Sequence, residues 1–382
     1  MFVCRSLGNR MKILSVFGTR PEAIKMAPVI TALEQNSFFQ SIVCTTGQHR
    51  TMLDGVLNLF SISPLYDLNI MMKGQDLTHI TTSVLKGLVD VLKEVQPDRV
   101  LVHGDTTTTL AASLASFYAH IPVGHVEAGL RTGNKLSPWP EEMNRRLADN
   151  VCDILFAPTN SAKDNLLMEG VPENRIFVTG NTVIDSLIQI SELLESKPDI
   201  ANEANKQLPT LDNEKNLIVV TGHRRENFGT GLEKICDSIS ELSKRRDVEI
   251  VYPLHLNPNV RDFVKKRLKT LKNVYLIDPL EYLSFVYLMK KARMILTDSG
   301  GIQEEAPSLG VPVLVMREET ERPEAVSAGT VKLVGTNSEK IYGECCNLLD
   351  DESAFLAMSK AHNPYGDGKA SSRIVKELMN VK

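Results

Sequence analysis

Short aliphatic runs recur along the chain, each closed by a small or polar turn and followed by a segment of helical period. Lys12–Phe17, Ser41–Thr46, Arg99–Val102, Asp153–Ala157, Arg175–Thr179 and the run that begins at Ile121 read as strands. Asn216–Thr221, Glu249–Pro253, Val274–Ile277, Met294–Leu296 and Gly310–Met316 read as a second set. Helical patterns lie between them, at 23–35, 50–60, 77–95, from Thr106 through Tyr118, from Gly180 to about Ser196, through Lys291 and at 371–379. Strands that alternate with helices predict parallel sheets, because a parallel pair needs a crossover connection. The pattern strand, Asp with small residues, helix, aliphatic-Pro-Val appears after Val102 and again after Leu296, so two halves on one βαβ plan are expected. The polar stretch Ser196–Asn216, with Pro198 and Pro209, marks the domain change near 180–216.

The turns after the strands carry the chemistry. In Thr297-Asp298-Ser299-Gly300-Gly301-Ile302-Gln303-Glu304-Glu305, Ser299 reads as an N-cap, and Gly300 and Gly301 let a ligand approach the backbone. The start of a helix favours an anion, and a carboxylate such as Glu304 or Glu305 suits a ribose diol. Gly18-Thr19-Arg20-Pro21-Glu22 opens another helix with Thr19 and Glu22 at capping-box spacing. Arg20 and Lys25 add cations to a helix end that is already positive, which suits phosphate better than stability. Asp105, Glu127 and Glu141 are expected on one rim of the first half, where grouped carboxylates can take different protonation roles. The loop after Thr221 packs His223, Arg224, Arg225, Glu226 and Asn227 together, and His223 can exchange a proton near neutral pH.

The chain has 382 residues, 42% hydrophobic and 24% charged, enough for two or three domains with real cores. A formal net charge of −4 gives no reason to expect nucleic acid or a membrane surface. No apolar run reaches membrane-spanning length, and residues 1–10 lack the apolar stretch of a signal peptide and read as an appendage or an upstream start. The six cysteines form no CxxC pair and read as reduced thiols of a cytoplasmic protein. There is no HExxH or other compact metal motif, no GxGxxG after the first strand and no GxxxxGK[ST]. No metal is implied, and nicotinamide chemistry and ATP hydrolysis are not expected.

The chain resembles the bacterial non-hydrolysing UDP-N-acetylglucosamine 2-epimerases from Met11 to its C-terminus. The resemblance rests on Gly18-Thr19-Arg20-Pro21-Glu22-Ala23-Ile24-Lys25-Met26-Ala27-Pro28, His103-Gly104-Asp105-Thr106-Thr107 and Gly124-His125-Val126-Glu127-Ala128-Gly129-Leu130-Arg131-Thr132. Pro138-Trp139-Pro140-Glu141-Glu142, Thr221-Gly222-His223-Arg224-Arg225-Glu226-Asn227 and the Thr297 stretch continue it in order. It implies two Rossmann-like parallel-sheet domains facing a cleft, the B-type glycosyltransferase fold. The expected domains are 11–182, joined by a returning C-terminal helix at 365–382, and 183–364 as the UDP-binding domain. It also implies no cofactor and a cytoplasmic homodimer.

The implied reaction is reversible epimerisation at carbon 2, by elimination of UDP to 2-acetamidoglucal and re-addition, supplying cell-surface polysaccharide synthesis. UDP-N-acetylglucosamine and UDP-N-acetylmannosamine are the implied partners. Asp105, Glu127, Glu141 and His223 are the implied catalytic residues. Arg20, Lys25, Asp105, Glu127, His223, Leu280, Phe285, Ser299, Gly300, Gly301, Glu305 and Arg322 are the implied substrate contacts, with only a backbone contact from Leu280. Gln48 and His255 are candidates for a second, activating nucleotide-sugar site. A B-type glycosyltransferase and a hydrolysing 2-epimerase are the alternatives on the same fold.

Overall fold

The computed structural model describes residues 10–381 other than 223, 225, 226 and 321. It comprises two compact units, one running to Ser186 and including Tyr365–Lys382, the other Leu187–Pro364. Each is a Rossmann-like layer of helices on a wholly parallel sheet, as the fold class anticipates.

The first unit holds β1 (Met11–Phe17), β2 (Phe39–Thr45), β3 (Tyr66–Asp67), β4 (Arg99–His103), β5 (Val123–Val126), β6 (Ile154–Ala157) and β7 (Ile176–Val178). Their order is β3-β2-β1-β4-β5-β6-β7, with every pair parallel. The strands are aliphatic on both faces because helices cover both faces. On one face Leu14, Val16, Val100 and Val102 pack with Ile80, Val84, Leu88, Val91 and Val95 of the helix Leu77–Val95. Asp76 caps that helix at the His79 N–H (2.7 Å), and Gln96 ends it in a left-handed conformation. The chain direction across the sheet reverses between β1 and β4, and the carboxyl ends of strands at such a point are where open α/β sheets bind ligands.

The last helix, Ala370–Asn380, belongs to this unit and packs on the helix Arg20–Glu34. Its first turn is tied by Asp185, which accepts from the Ala370 N–H (3.2 Å), the Ser371 N–H (2.8 Å) and the Ser371 hydroxyl (2.6 Å).

The second unit holds β8 (Asn216–Thr221), β9 (Val248–Pro253), β10 (Val274–Ile277), β11 (Met294–Thr297), β12 (Val313–Val315) and β13 (Val331–Leu333). The order is β10-β9-β8-β11-β12-β13, again all parallel. Its reversal point lies between β8 and β11, which puts the Gly222 loop and the Asp298 turn at neighbouring strand ends.

Two local expectations change. The polar stretch Ser196–Asn216 contains a helix, Pro198–Asn205, because Pro198 at the first helical position starts a helix rather than breaking one. The run Gly310–Met316 is strand only at Val313–Val315. Gly310 is left-handed (φ 70°) and Val311 N–H bonds back to Ala306 O, so the start of that run still closes the preceding turn. Beyond Met316 the chain forms the short helix Pro323–Ser327. The helices Ser338–Asp350 and Glu352–Ser359 complete the second unit. Among the described residues no helix is long and apolar enough to cross a membrane. Cys44, Cys152, Cys236, Cys345 and Cys346 are free thiols.

Candidate active site

In the first unit the turns after β1, β4 and β5 share their hydrogen bonds. Glu22, buried three residues into the turn after Thr19, accepts from the N–H groups of Gly18 (3.0 Å) and Thr19 (2.8 Å). Its other oxygen takes the Thr106 hydroxyl at 2.6 Å, which ties the Arg20 helix to the residue after Asp105. Burial pushes the Glu22 carboxyl up, against the bonds from Thr106, Gly18 and Thr19. Gly18 is required by crowding: a Cβ there would lie 1.9 Å from Thr46 Oγ1 and 2.8 Å from Thr108 Oγ1.

Glu127 follows β5 in a left-handed conformation, φ 67°. That costs a residue with a Cβ roughly 1–2 kcal/mol, and such strain persists where the surroundings hold it. Glu127 Oε2 forms an ion pair with Lys25 Nζ and accepts from Asn181 Nδ2 at 2.9 Å. His103 Nε2 stands 3.9 Å from the same oxygen. Both ring nitrogens of His103 are buried without a hydrogen-bond partner. Burial, with smaller contributions from Lys25 and His125, pushes the His103 pKa down to about 3 against the pull of Glu127, so the ring is neutral.

Asp105 starts the turn after β4. Arg145 Nη2 reaches Asp105 Oδ2 at 2.5 Å, and Asn144 Nδ2 donates to the Asp105 carbonyl at 2.9 Å. Both come from the helix Glu141–Val151, whose first residue is Glu141. That helix follows Pro138 and Pro140, both preceded by cis peptide bonds.

In the second unit, Asp298 Oδ2 accepts from the Arg224 N–H (2.9 Å) and Asn227 Nδ2 (3.2 Å), joining the turns after β8 and β11. A short helix, Gly300–Glu305, follows Ser299. Ser299 occupies the N-cap position, but its hydroxyl makes no capping bond; its N–H is instead accepted by Thr297 Oγ1 at 2.9 Å. The expected side-chain cap is therefore absent, because the threonine two residues earlier holds the turn. Glu304, almost fully buried, pairs with Arg322. Arg322 Nη2 lies 3.7 Å, and Arg224 Nη2 4.0 Å, from where a Cβ on Gly300 would stand. Two guanidinium groups thus converge on the glycine backbone, an arrangement suited to phosphate oxygens. Glu305 Oε2 accepts the Tyr282 hydroxyl at 3.1 Å, which links this helix to Tyr282–Lys291, where Phe285 is half-buried.

The structure thus brings Lys25 and Glu127 together, ties Asp105 by hydrogen bonds to the helix begun by Glu141, and gathers Ser299, Gly300, Gly301, Glu305 and Arg322. Arg20 is the first residue of the helix that carries Lys25. Leu280 is buried just before the Tyr282 helix. Gln48 is buried, accepting the Thr108 hydroxyl at 2.9 Å in the first unit. His255 Nδ1 in the second unit accepts the Asn257 N–H at 3.1 Å. His223 lies outside the described residues. Residues whose part in the site was not anticipated are Asn181, Asn144, Arg145 and Tyr282. Asn181 follows β7 in a Gly-Asn-Thr turn, a strand-end signal of the same kind as the others. Among the described residues no group of three or more His, Cys, Asp or Glu could hold a metal ion.

The family model of UDP-N-acetylglucosamine 2-epimerase matches residues 31–379. A UDP-N-acetylglucosamine 2-epimerase of Escherichia coli K12 is 60% identical over 371 residues, 97% of this chain and 99% of that protein. The crystal structure of UDP-GlcNAc 2-epimerase from Neisseria meningitidis bound to UDP-GlcNAc is 54% identical and superimposes with a TM-score of 0.91, covering 97% of this chain and 100% of that one. The Methanocaldococcus jannaschii UDP-GlcNAc 2-epimerase in complex with UDP-GlcNAc and UDP is 36% identical, with a TM-score of 0.83 and coverage of 97% and 100%.

Proposed function

The chain belongs to the UDP-N-acetylglucosamine 2-epimerase family, and we propose that it interconverts UDP-N-acetylglucosamine and UDP-N-acetylmannosamine without hydrolysis, by elimination and re-addition of UDP. Family membership supports the substrate and the epimerisation. The observation that carries the mechanism is the separation of chemistry between the units. One has a strained, partly buried carboxylate held by Lys25 and Asn181, with Asp105 in the turn after the neighbouring strand. The other has two arginines over a glycine turn beside a carboxylate and an aromatic side chain.

The proton at carbon 2 is not acidic in the ground state. In the proposed elimination the anomeric C–O bond breaks, its electron pair leaves with UDP, and a carboxylate removes the carbon 2 proton as the double bond forms. In re-addition a proton reaches carbon 2 from the opposite face and UDP oxygen attacks the anomeric carbon. Arg322, Arg224 and the Gly300-Gly301 backbone stabilise the departing diphosphate without releasing it. Glu305 holds the ribose and Phe285 packs beside the uracil. Asp105, Glu127 and Glu141 exchange the protons, Arg20 and Lys25 supply positive charge, and His223 assists. Gln48 and His255 belong to the second, activating site. The same reading has the enzyme act as a cytoplasmic homodimer that feeds cell-surface polysaccharide synthesis.

The test is incubation with UDP-N-acetylglucosamine alone, followed by proton and phosphorus NMR. UDP-N-acetylmannosamine at equilibrium with substrate supports the proposal. Stoichiometric free N-acetylmannosamine and UDP would make the enzyme hydrolysing, and no reaction without an acceptor would make it a transferase.

A further inference from the structure

The turns that carry Asp105 and Glu127 end adjacent strands, β4 and β5, and one buried pair grips both. His125 is fully buried in β5. Its Nδ1 lies 2.6 Å from Asp149 Oδ1 and its Nε2 lies 2.6 Å from the carbonyl of Gly104, the residue before Asp105. A carbonyl oxygen only accepts, so Nε2 carries the proton and donates it there. Asp149 Oδ2 accepts Arg131 Nη2 at 2.7 Å and the N–H of Gly129 at 3.3 Å, two residues beyond Glu127. Burial opposes the charge on Asp149, yet the charges and hydrogen bonds of His125 and Arg131 hold it below the ordinary carboxylate range. Gly129 is also fixed from behind: a Cβ there would stand 2.3 Å from the Ala162 carbonyl oxygen.

We propose that the buried His125–Asp149 pair is a positioning device that sets the spacing of the two acid-bearing turns. His125 holds the Asp105 turn by its Gly104 carbonyl, and Asp149 holds the Glu127 turn by its Gly129 N–H. The inference rests on the reading that Asp105 and Glu127 handle the sugar's protons, and the pair acts through them. Lys25 and Asn181 fix the tip of the Glu127 side chain, whereas His125 and Asp149 fix the backbone that aims it. An apolar pair of equal volume can fill a core without loss of stability, so two directed bonds to two turns indicate placement rather than packing.

The experiment compares wild type with His125→Phe, His125→Gln and Asp149→Asn by steady-state kinetics, UDP calorimetry and thermal unfolding. Phenylalanine fills the volume and donates nothing. Asparagine at 149 can donate to Nδ1, which keeps the Nε2 proton facing Gly104. His125→Phe is expected to lower kcat about 100-fold, the usual effect of misplacing a reacting group by about 1 Å. KM and UDP affinity should stay within about twofold, and Asp149→Asn should remain within about tenfold of wild-type kcat. If His125→Phe does not fold, His125→Gln, which cannot span both partners, should show at least a roughly tenfold lower kcat at unchanged KM. A kcat near wild type in a folded His125 variant overturns the proposal. So does a loss that only follows the melting temperature, or one that appears equally in KM. Wild-type exchange of the carbon 2 proton with solvent is measured alongside. If wild type fails to exchange, the proposed reaction fails; if it exchanges and the variants turn over normally, only the positioning role fails.

Discussion

His103 makes stability depend on pH in a way that one substitution isolates. Its folded pKa is about 3 and its ordinary value is 6.5, because burial beside Lys25 and His125 disfavours the imidazolium more than Glu127 favours it. The unfolded chain therefore binds a proton below pH 6.5 that the folded chain refuses until about pH 3. Stability from this group is complete above pH 6.5 and is lost as the pH falls through the window from 6.5 to about 3. At about 1.36 kcal/mol for each pH unit, going from 6.5 to about 5 costs the native state about 2 kcal/mol. His103→Gln removes the titration and keeps a neutral polar side chain. Urea unfolding of wild type and variant, each at about pH 7.5 and about pH 5, gives the difference directly. Wild type should lose about 2 kcal/mol more than the variant over that interval, since every other titrating group is common to both. An equal loss in the two proteins would refute the neutral, buried histidine. A greater loss in the variant would mean that the folded ring is protonated and held by Glu127.

Gly18→Ala should destabilise the first unit by about 1–3 kcal/mol in urea unfolding, because its Cβ would strike Thr46 and Thr108 at the end of β1. Arg322→Ala should weaken UDP binding by about tenfold or more in calorimetry, through loss of a charge over Gly300 and loss of the partner of buried Glu304. Glu127→Gln should lower kcat by about 100-fold or more with UDP affinity retained, since nucleotide recognition is assigned to the second unit.

Much of the fold is legible in the aliphatic runs, for a physical reason. Strands covered on both faces are continuously apolar, so β8 and β10 coincide with the predicted Asn216–Thr221 and Val274–Ile277. The helix Leu77–Val95 matches because its buried residues repeat at helical spacing between Asp76 and Pro97. Strands such as Tyr66–Asp67 and Val331–Leu333 are too short to show a period. Pro198 carries the same letter for a linker and for a helix start, and only packing separates them. At the site, the turns were readable and the partnerships were not. Asn181 meets Glu127 across 54 positions, Arg145 meets Asp105 across 40, and Arg322 meets Glu304 across 18. No local pattern encodes such pairs, because the sheet order decides which strand ends become neighbours. The left-handed Glu127 is hidden for the same reason: nothing in the local sequence requires a strained backbone at a glutamate, and the surrounding hydrogen bonds impose it.

The proposed mechanism breaks the carbon 2 C–H bond in every turnover, and the most direct measurement follows that proton. Wild-type enzyme is incubated with UDP-N-acetylglucosamine in heavy water, and the UDP-N-acetylmannosamine formed is read by proton NMR and mass spectrometry. Removal of the proton on one face and delivery from the other predicts product carrying deuterium at carbon 2 as it first forms. Product that retains its original proton at carbon 2 throughout would contradict elimination and re-addition and require direct internal transfer.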